Sequence, residues 1–414
     1  MLSVIALASQ LALAIPPHPF SIGNPTQRLS ALEQHRQRLG SFDAMYQYLK
    51  QGDQHKSLDA GQRQLRTHHL DGKPFYYTLI PPQRIIEGKR YPAIFYLHGD
   101  VTAQRWRRNG RWWPFYDLVK QEEYFQIFPA GWHEARWWSD LQVENLRGIL
   151  NELKAEYAID SNRIFLTGLS DGGSGIFYIA ARTPDLFALV APAIGSPTVI
   201  SSAVNGANQE TYPINYLNTR MLIVNGTADR LYPADAIEIY ANYFRSLGVD
   251  VEFIAVSGSH SYPTFRHAHD LMLAKAASIS RNPFPETVVM EVDENTAYRR
   301  AHWLVVDKIS QPTKENLLKG LMEQDNPRAI VEAQASGNMI NVYSYSAEQF
   351  TILISPEQFD LNRPLTIYVN REKAFEQLIS PDIDTLVEYA AKDMDPARLY
   401  AKALKFSVKM DAAN

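Results

Sequence analysis

Apolar positions along this chain follow two different rhythms. From Phe75 to Val256, short apolar runs alternate with stretches at helical spacing. Phe75–Ile80, Ala93–Leu97, Tyr124–Pro129, Arg163–Thr167, Met221–Val224 and Val251–Val256 read as strands, most of them buried on both faces. Between them, Leu146, Ile149, Leu150, Leu153 and Tyr157 recur every three to four residues and predict a helix. Another helix is expected from about Gly173 to just before Pro184. A third starts near Pro233, a favoured first helical position, and stops at Gly248, a favoured C-terminal cap. Strands alternating with helices predict an α/β domain, a doubly wound and mostly parallel sheet covered on both faces, over residues 71–282.

Beyond Arg281-Asn282-Pro283-Phe284-Pro285 the rhythm changes. Val331–Tyr343 alternates around Gly337-Asn338, a hairpin signal, and Phe350–Ile354 and Leu365–Val369 are further short strands. Residues 286–410 are therefore expected to form an all-β sandwich. Residues 15–70, polar with scattered Leu and Tyr, are expected to be a helical extension. The apolar run Leu2–Ala14, ending in Ala12-Leu13-Ala14, predicts a signal peptide over residues 1–14 and a secreted or periplasmic protein. It lacks a preceding Lys or Arg, the first being Arg28, and falls short of the ~20 residues that span a bilayer.

Composition narrows the chemistry. The 414 residues carry a net charge of −4, which gives no electrostatic case for nucleic acid or an anionic membrane, and no stable membrane insertion is expected. There is no cysteine, so thiol catalysis, disulfides and cysteine metal sites are excluded.

The most informative stretch is Gly168-Leu169-Ser170-Asp171-Gly172, a G-x-S-x-G between an expected strand and an expected helix. So sharp a corner crowds the positions on either side of its centre, which calls for glycine. It holds the serine oxygen at a helix N-terminus, where backbone N–H groups favour negative charge. A serine needs a base, and the base needs an orienting acid. In chain order the candidates are Asp229, after Met221–Val224, and His260, after Val251–Val256, both at strand ends where open sheets place catalysis. Asp235 is the alternative acid, and His267 or His269 the alternative base. Oxyanion donors are expected from the backbone of Asp171 and from Asp100 or Val101, after His98-Gly99. His98 either takes part or only shapes that loop. His267-Ala268-His269-Asp270 lies on an expected helix whose i and i+2 side chains diverge, and His68-His69 lacks ligand spacing, so neither is taken as a metal site.

Six of seven tryptophans fall between 106 and 138: Trp106, Trp112, Trp113, Trp132, Trp137 and Trp138, interleaved with Arg105, Arg107, Arg108, Arg111 and Arg136. Trp132, Trp137 and Trp138 are candidates for stacking on an aryl or sugar ester. The alternative is that they pack a lid onto the sheet.

The run Tyr91–Gly99, the corner Arg163–Gly175 and the loops Asn225–Asp229 and Gly258–His260 together resemble the α/β-hydrolase superfamily. More narrowly they resemble secreted feruloyl and acetylxylan esterases, polyester depolymerases and prolyl-oligopeptidase-like hydrolases. The resemblance covers roughly Phe75 to Ser278. It implies cofactor-free, metal-free cleavage of a small-molecule or polysaccharide-linked ester through an acyl-serine intermediate. The corner departs from the usual Gly-His-Ser-Met-Gly by placing an acid at 171, and the usual glycine run after His-Gly is missing. A serine peptidase, or a carbohydrate- or surface-binding protein on an inactive scaffold, remains open at this point.

Overall fold

The computed structural model describes residues 16–52, 60–101, 119, 121–202, 211–310 and 328–408. The expected signal peptide, Trp106, Trp112, Trp113 and Arg105, Arg107, Arg108 and Arg111 lie outside them.

An eight-stranded sheet forms the centre. Its strands are β1 (Gln64–Leu70), β2 (Lys73–Ile80), β3 (Tyr91–Leu97), β4 (Phe125–Pro129), β5 (Ile159–Leu169), β6 (Leu189–Ala193), β7 (Met221–Gly226) and β8 (Val251–Val256), in the order β1-β2-β4-β3-β5-β6-β7-β8. The β1–β2 and β2–β4 pairs are antiparallel, and every pair from β4 through β3 to β8 is parallel. Strands β3 and β4 are buried along their whole length, as strands covered on both faces must be. The sheet opens at Gln64, ahead of the expected boundary at 71. Strand β1 is an edge strand of sequence QLRTHHL with only His68 buried, and its polar make-up hid it from a reading based on apolar runs.

Two apolar layers flank the sheet. One joins Leu97 of β3 to Ile149 and Leu153 of helix α3 (Asp140–Glu156) and Ile176 and Phe177 of helix α4 (Asp171–Arg182). The other includes Phe165, Leu222, Phe265 and Met272. Helices α1 (Pro25–Leu39) and α2 (Phe42–Gln51) lie in the N-terminal extension. Asn24 and Ser41 cap them, each accepting a backbone N–H with its side-chain oxygen.

The C-terminal part is a β domain of two sheets. One has the order β10-β11-β14-β17, the other β16-β15-β13-β12-β9. These strands are β9 (Thr287–Val292), β10 (Arg300–Ala301), β11 (Leu304–Ile309), β12 (Ala329–Ser336), β13 (Met339–Tyr345), β14 (Ala347–Ile354), β15 (Leu365–Val369), β16 (Glu372–Gln377) and β17 (Lys402–Ser407). Met290, Trp303, Val331, Phe350 and Ile367 meet in its core. The hairpin at Gly337-Asn338 joins β12 to β13.

The domain is not all β. A helix at Ile383–Asp393 carries Leu386, Val387 and Ala390 into a cluster with Leu32, Met45 and Leu49 of α1 and α2. The N-terminal extension therefore docks on the C-terminal domain as well as on α3, which contributes Ala155 to that cluster.

Candidate active site

Strand β5 runs into α4 through Ser170, whose φ of 56° and ψ of −120° lie outside the regions a serine ordinarily adopts. The corner tolerates no side chain around it. A Cβ on Gly168 would meet the carbonyl carbon of Gly172 at 2.7 Å, and one on Gly172 would meet the Leu97 carbonyl oxygen at 2.1 Å. Crowding within the corner and against the end of β3 thus dictates the two glycines that bracket the serine.

Three distant side chains converge there. Asp229 is buried in the loop after β7, where its Oδ1 accepts the N–H groups of Leu231 and Tyr232, both at 2.9 Å. Its Oδ2 lies 2.8 Å from Nδ1 of His260, and Nε2 of His260 lies 2.9 Å from Oγ of Ser170. These partners assign the tautomer: Nδ1–H donates to the carboxylate, which leaves Nε2 to accept from the serine hydroxyl. His260 keeps about a quarter of its side chain exposed, so the junction is open to a reactant. Tyr232 packs edge-on against the imidazole with ring centroids 5.5 Å apart. Sequence reasoning missed this support; its only signal was a position three residues after the acid.

Serine after β5, acid after β7 and histidine after β8, on a sheet of order 1-2-4-3-5-6-7-8, decide the architecture. The fold is that of the α/β-hydrolases.

No family model matches the chain. It is 25% identical over 158 residues, 37% of its length, to a bifunctional acetylxylan esterase/xylanase of Neocallimastix patriciarum. It is 33% identical over 129 residues, 28% of its length, to a poly(3-hydroxyalkanoate) depolymerase C of Paucimonas lemoignei. The matched parts span 22% and 30% of those proteins. Among solved structures, a substrate-bound fluorophosphonate-binding serine hydrolase of Staphylococcus aureus is 16% identical with a TM-score of 0.43, the match covering 53% of this chain and all of that one.

The alternative triad members lie elsewhere. Asp235 is in the first turn of the helix Ala234–Ser246 and caps the N–H of Ala236. His269 is fully buried on the helix Tyr262–Ala276, its Nε2 3.0 Å from the Tyr96 hydroxyl. No three His, Asp or Glu side chains among the described residues are grouped to hold a metal.

The loop after β3 corrects part of the oxyanion expectation. Asp100 takes a φ of 57°, and the N–H of Val101 donates to Oδ2 of Asp171 at 2.9 Å. Val101 is therefore committed to a carboxylate, which leaves Asp100 and Asp171 as the backbone candidates. Burial, with Asp100 nearby, pushes the Asp171 carboxyl above its ordinary value, against the pull of the Val101 N–H, His260 and Arg136. Gly99 lies directly against Ser170: a Cβ there would stand 3.0 Å from the Ser170 Cβ. His98 shapes the loop. Its Nε2 accepts the Gly131 N–H at 2.8 Å, so Nδ1 carries the proton and donates to the Gly99 carbonyl at 2.6 Å.

The tryptophans correct the substrate-binding expectation. Trp137 is fully buried, wedged between Gly131 and Gly175, and donates its indole N–H to the His98 carbonyl at 2.8 Å. Trp138 belongs to the same core, and Trp132 packs on Phe75 with centroids 5.1 Å apart. Rings without exposed faces do not stack on a substrate; Trp137 instead packs against Gly175 of α4 and supports the loop at His98. Trp137→Ala should therefore destabilise the protein by about 3–5 kcal/mol in denaturant titration. The loss of activity should be the same on short acyl and bulky aryl esters; a selective loss on the aryl ester would restore a recognition role.

Proposed function

We propose that this chain hydrolyses carboxylic esters through an acyl-serine intermediate on Ser170. The observation that carries the proposal is the unbroken relay from Asp229 through His260 to Ser170 at the carboxyl ends of three parallel strands. In the first half-reaction His260 Nε2 takes the hydroxyl proton as Oγ bonds to the acyl carbon. It then gives that proton to the departing alkoxide as the ester C–O bond breaks. In the second, water attacks the acyl carbon, its proton passes to His260 and on to Oγ, and the free acid leaves. Asp229 holds the ring in the required tautomer and stabilises the imidazolium. The N–H groups of Asp171 and Asp100 would receive the oxyanion. The names of the two curated relatives, an acetylxylan esterase and a polyester depolymerase, favour ester over amide.

The test is paired kinetics on an ester and its matched amide, together with fluorophosphonate labelling. Ester turnover with serine-dependent labelling is expected. Faster amide cleavage would make the protein a peptidase, and folded protein that takes no label would make it a binding protein.

Asp171 has an expected part in this reaction, because its carboxylate pins the oxyanion loop through Val101. Asp171→Ala should lower kcat about 10- to 100-fold, short of the ~10²–10³ for outright loss of an oxyanion donor. Asp171→Asn, which keeps an acceptor for that N–H, should retain most of the activity. Equal losses in the two variants would refute the pinning role. Export belongs to the same proposal: N-terminal sequencing of protein recovered outside the cytoplasm should begin at Ile15.

A further inference from the structure

One cavity among the described residues is not lined by Ser170, Asp229 or His260. It measures about 950 Å³ and lies where three parts of the chain meet: α1, the flank of α3, and the helix Ile383–Asp393 of the C-terminal domain. That volume suits a small organic molecule.

Its charges do not balance locally. Of its carboxylates, Asp185 pairs with Arg398 at 2.5 Å, Asp393 with Arg300 at 2.8 Å and Glu388 with Lys392 at 2.6 Å. Glu33 and Asp384 both face Arg36, and Glu144 accepts from the Tyr298 hydroxyl.

Several cations of the lining have no carboxylate within ion-pair distance among the described residues, and two of them are buried deeply. Arg28, on α1, is only 1% exposed, and its Nε and Nη1 are buried with no acceptor. Burial alone lowers its pKa, to about 10, so it stays charged at neutral pH. Lys154, on α3, is 8% exposed; its Nζ makes one hydrogen bond, to the Asp393 carbonyl oxygen at 3.4 Å, and the nearby Asp395 and Asp393 carboxylates, shared with Arg281 and Arg398, do not offset its burial. Arg147 adds a third cationic group, with a buried Nε that lacks an acceptor. A buried guanidinium is ordinarily neutralised by an anion, and its fork fits two oxygens of one carboxylate or phosphate.

We propose that this junction binds a small oxyanion, a carboxylate- or phosphate-bearing molecule, on Arg28 and Lys154. The ligand would supply the missing counter-charge and tie the N-terminal helices and the C-terminal domain to the α/β domain. The site is independent of the ester reading, and its test does not use activity.

Citrate and inorganic phosphate are titrated into the full-length protein at constant ionic strength, with chloride as the reference, by calorimetry and thermal denaturation. At least one should bind with a sub-millimolar Kd and raise Tm saturably. A response to citrate alone assigns a carboxylate ligand, and a response to phosphate alone a phosphoryl ligand. Arg28→Gln and Lys154→Met should each weaken binding at least tenfold, while Arg28→Lys keeps part of it. Burial lowers Lys154 to about pH 8, so affinity should also fall as pH rises through that value. Should Arg28→Gln fail to fold, Lys154→Met and the pH series decide. Tm shifts no larger than those of chloride, or unchanged affinity in every folded variant, would overturn the proposal.

Discussion

Ser170→Ala is expected to lower kcat/KM on an activated ester by about 10⁴–10⁶-fold and to abolish fluorophosphonate labelling, with the fold intact. The reasoning rests on how little else can serve. The hydroxyl lies 2.9 Å from Nε2 of His260 and is the oxygen, among the described residues, that the relay addresses. The residual rate should come from the backbone N–H groups of Asp171 and Asp100, which the mutation leaves in place. His260→Ala should cost about as much, and the double variant little more, because the two act as one unit. Stability should move the other way. Ser170 holds a φ of 56°, a strained conformation that glycine adopts without penalty. Ser170→Gly should therefore be inactive and also more stable, by about 1 kcal/mol, in urea titration. A Ser170→Ala protein that keeps more than about a hundredth of wild-type turnover would mean the nucleophile lies elsewhere.

The convergence of Ser170, His260 and Asp229 was legible because each position rests on local rules. A glycine-bracketed serine between strand and helix, an acid after the next-to-last strand and a histidine after the last are fixed by strand ends, and β5, β7 and β8 stand where apolar runs put them. The features that escaped depend on partners far along the chain. Val101 was a fair oxyanion candidate until the Asp171 side chain, 70 residues on, took its N–H. Trp137 and Trp138 sit in a loop with no period to assign a face, so a ring packed inward could not be told from one facing a substrate. Strand β1 is polar and owes its place to pairing with β2. The helix Ile383–Asp393 is the opposite case. Ile383, Leu386, Val387 and Ala390 already show helical spacing, and the expectation of an all-β domain masked it.

Acid should unfold this protein earlier than its carboxylates alone require, because two histidines are buried without charge. Burial lowers His269 to about pH 4 and His302 to about pH 3, and both side chains are almost wholly inaccessible. An unfolded histidine titrates near pH 6.5, so below that value the unfolded state takes up protons that the native state refuses. Stability must therefore fall as pH drops from about 6.5 towards the folded values. By pH 4.5 each site should cost about 2–3 kcal/mol relative to pH 7, together on the order of 5 kcal/mol, a large share of the ~5–15 kcal/mol that holds a domain folded. A second loss follows at lower pH. Burial opposes the ionised forms of Asp185 and Asp395, but Arg398 and Arg281 hold both well below the usual carboxylate range. Their contribution is present above about pH 4 and disappears only as pH falls through those depressed values. Urea titrations at pH 7.0, 5.5 and 4.5 isolate the first phase, because the second begins only below about pH 4. His302 sits at a φ of 49°, where asparagine is well tolerated, so His302→Asn should flatten the decline between pH 6.5 and 4.5 by about half. Unchanged unfolding free energy across that interval would show that neither imidazole is held neutral by the fold.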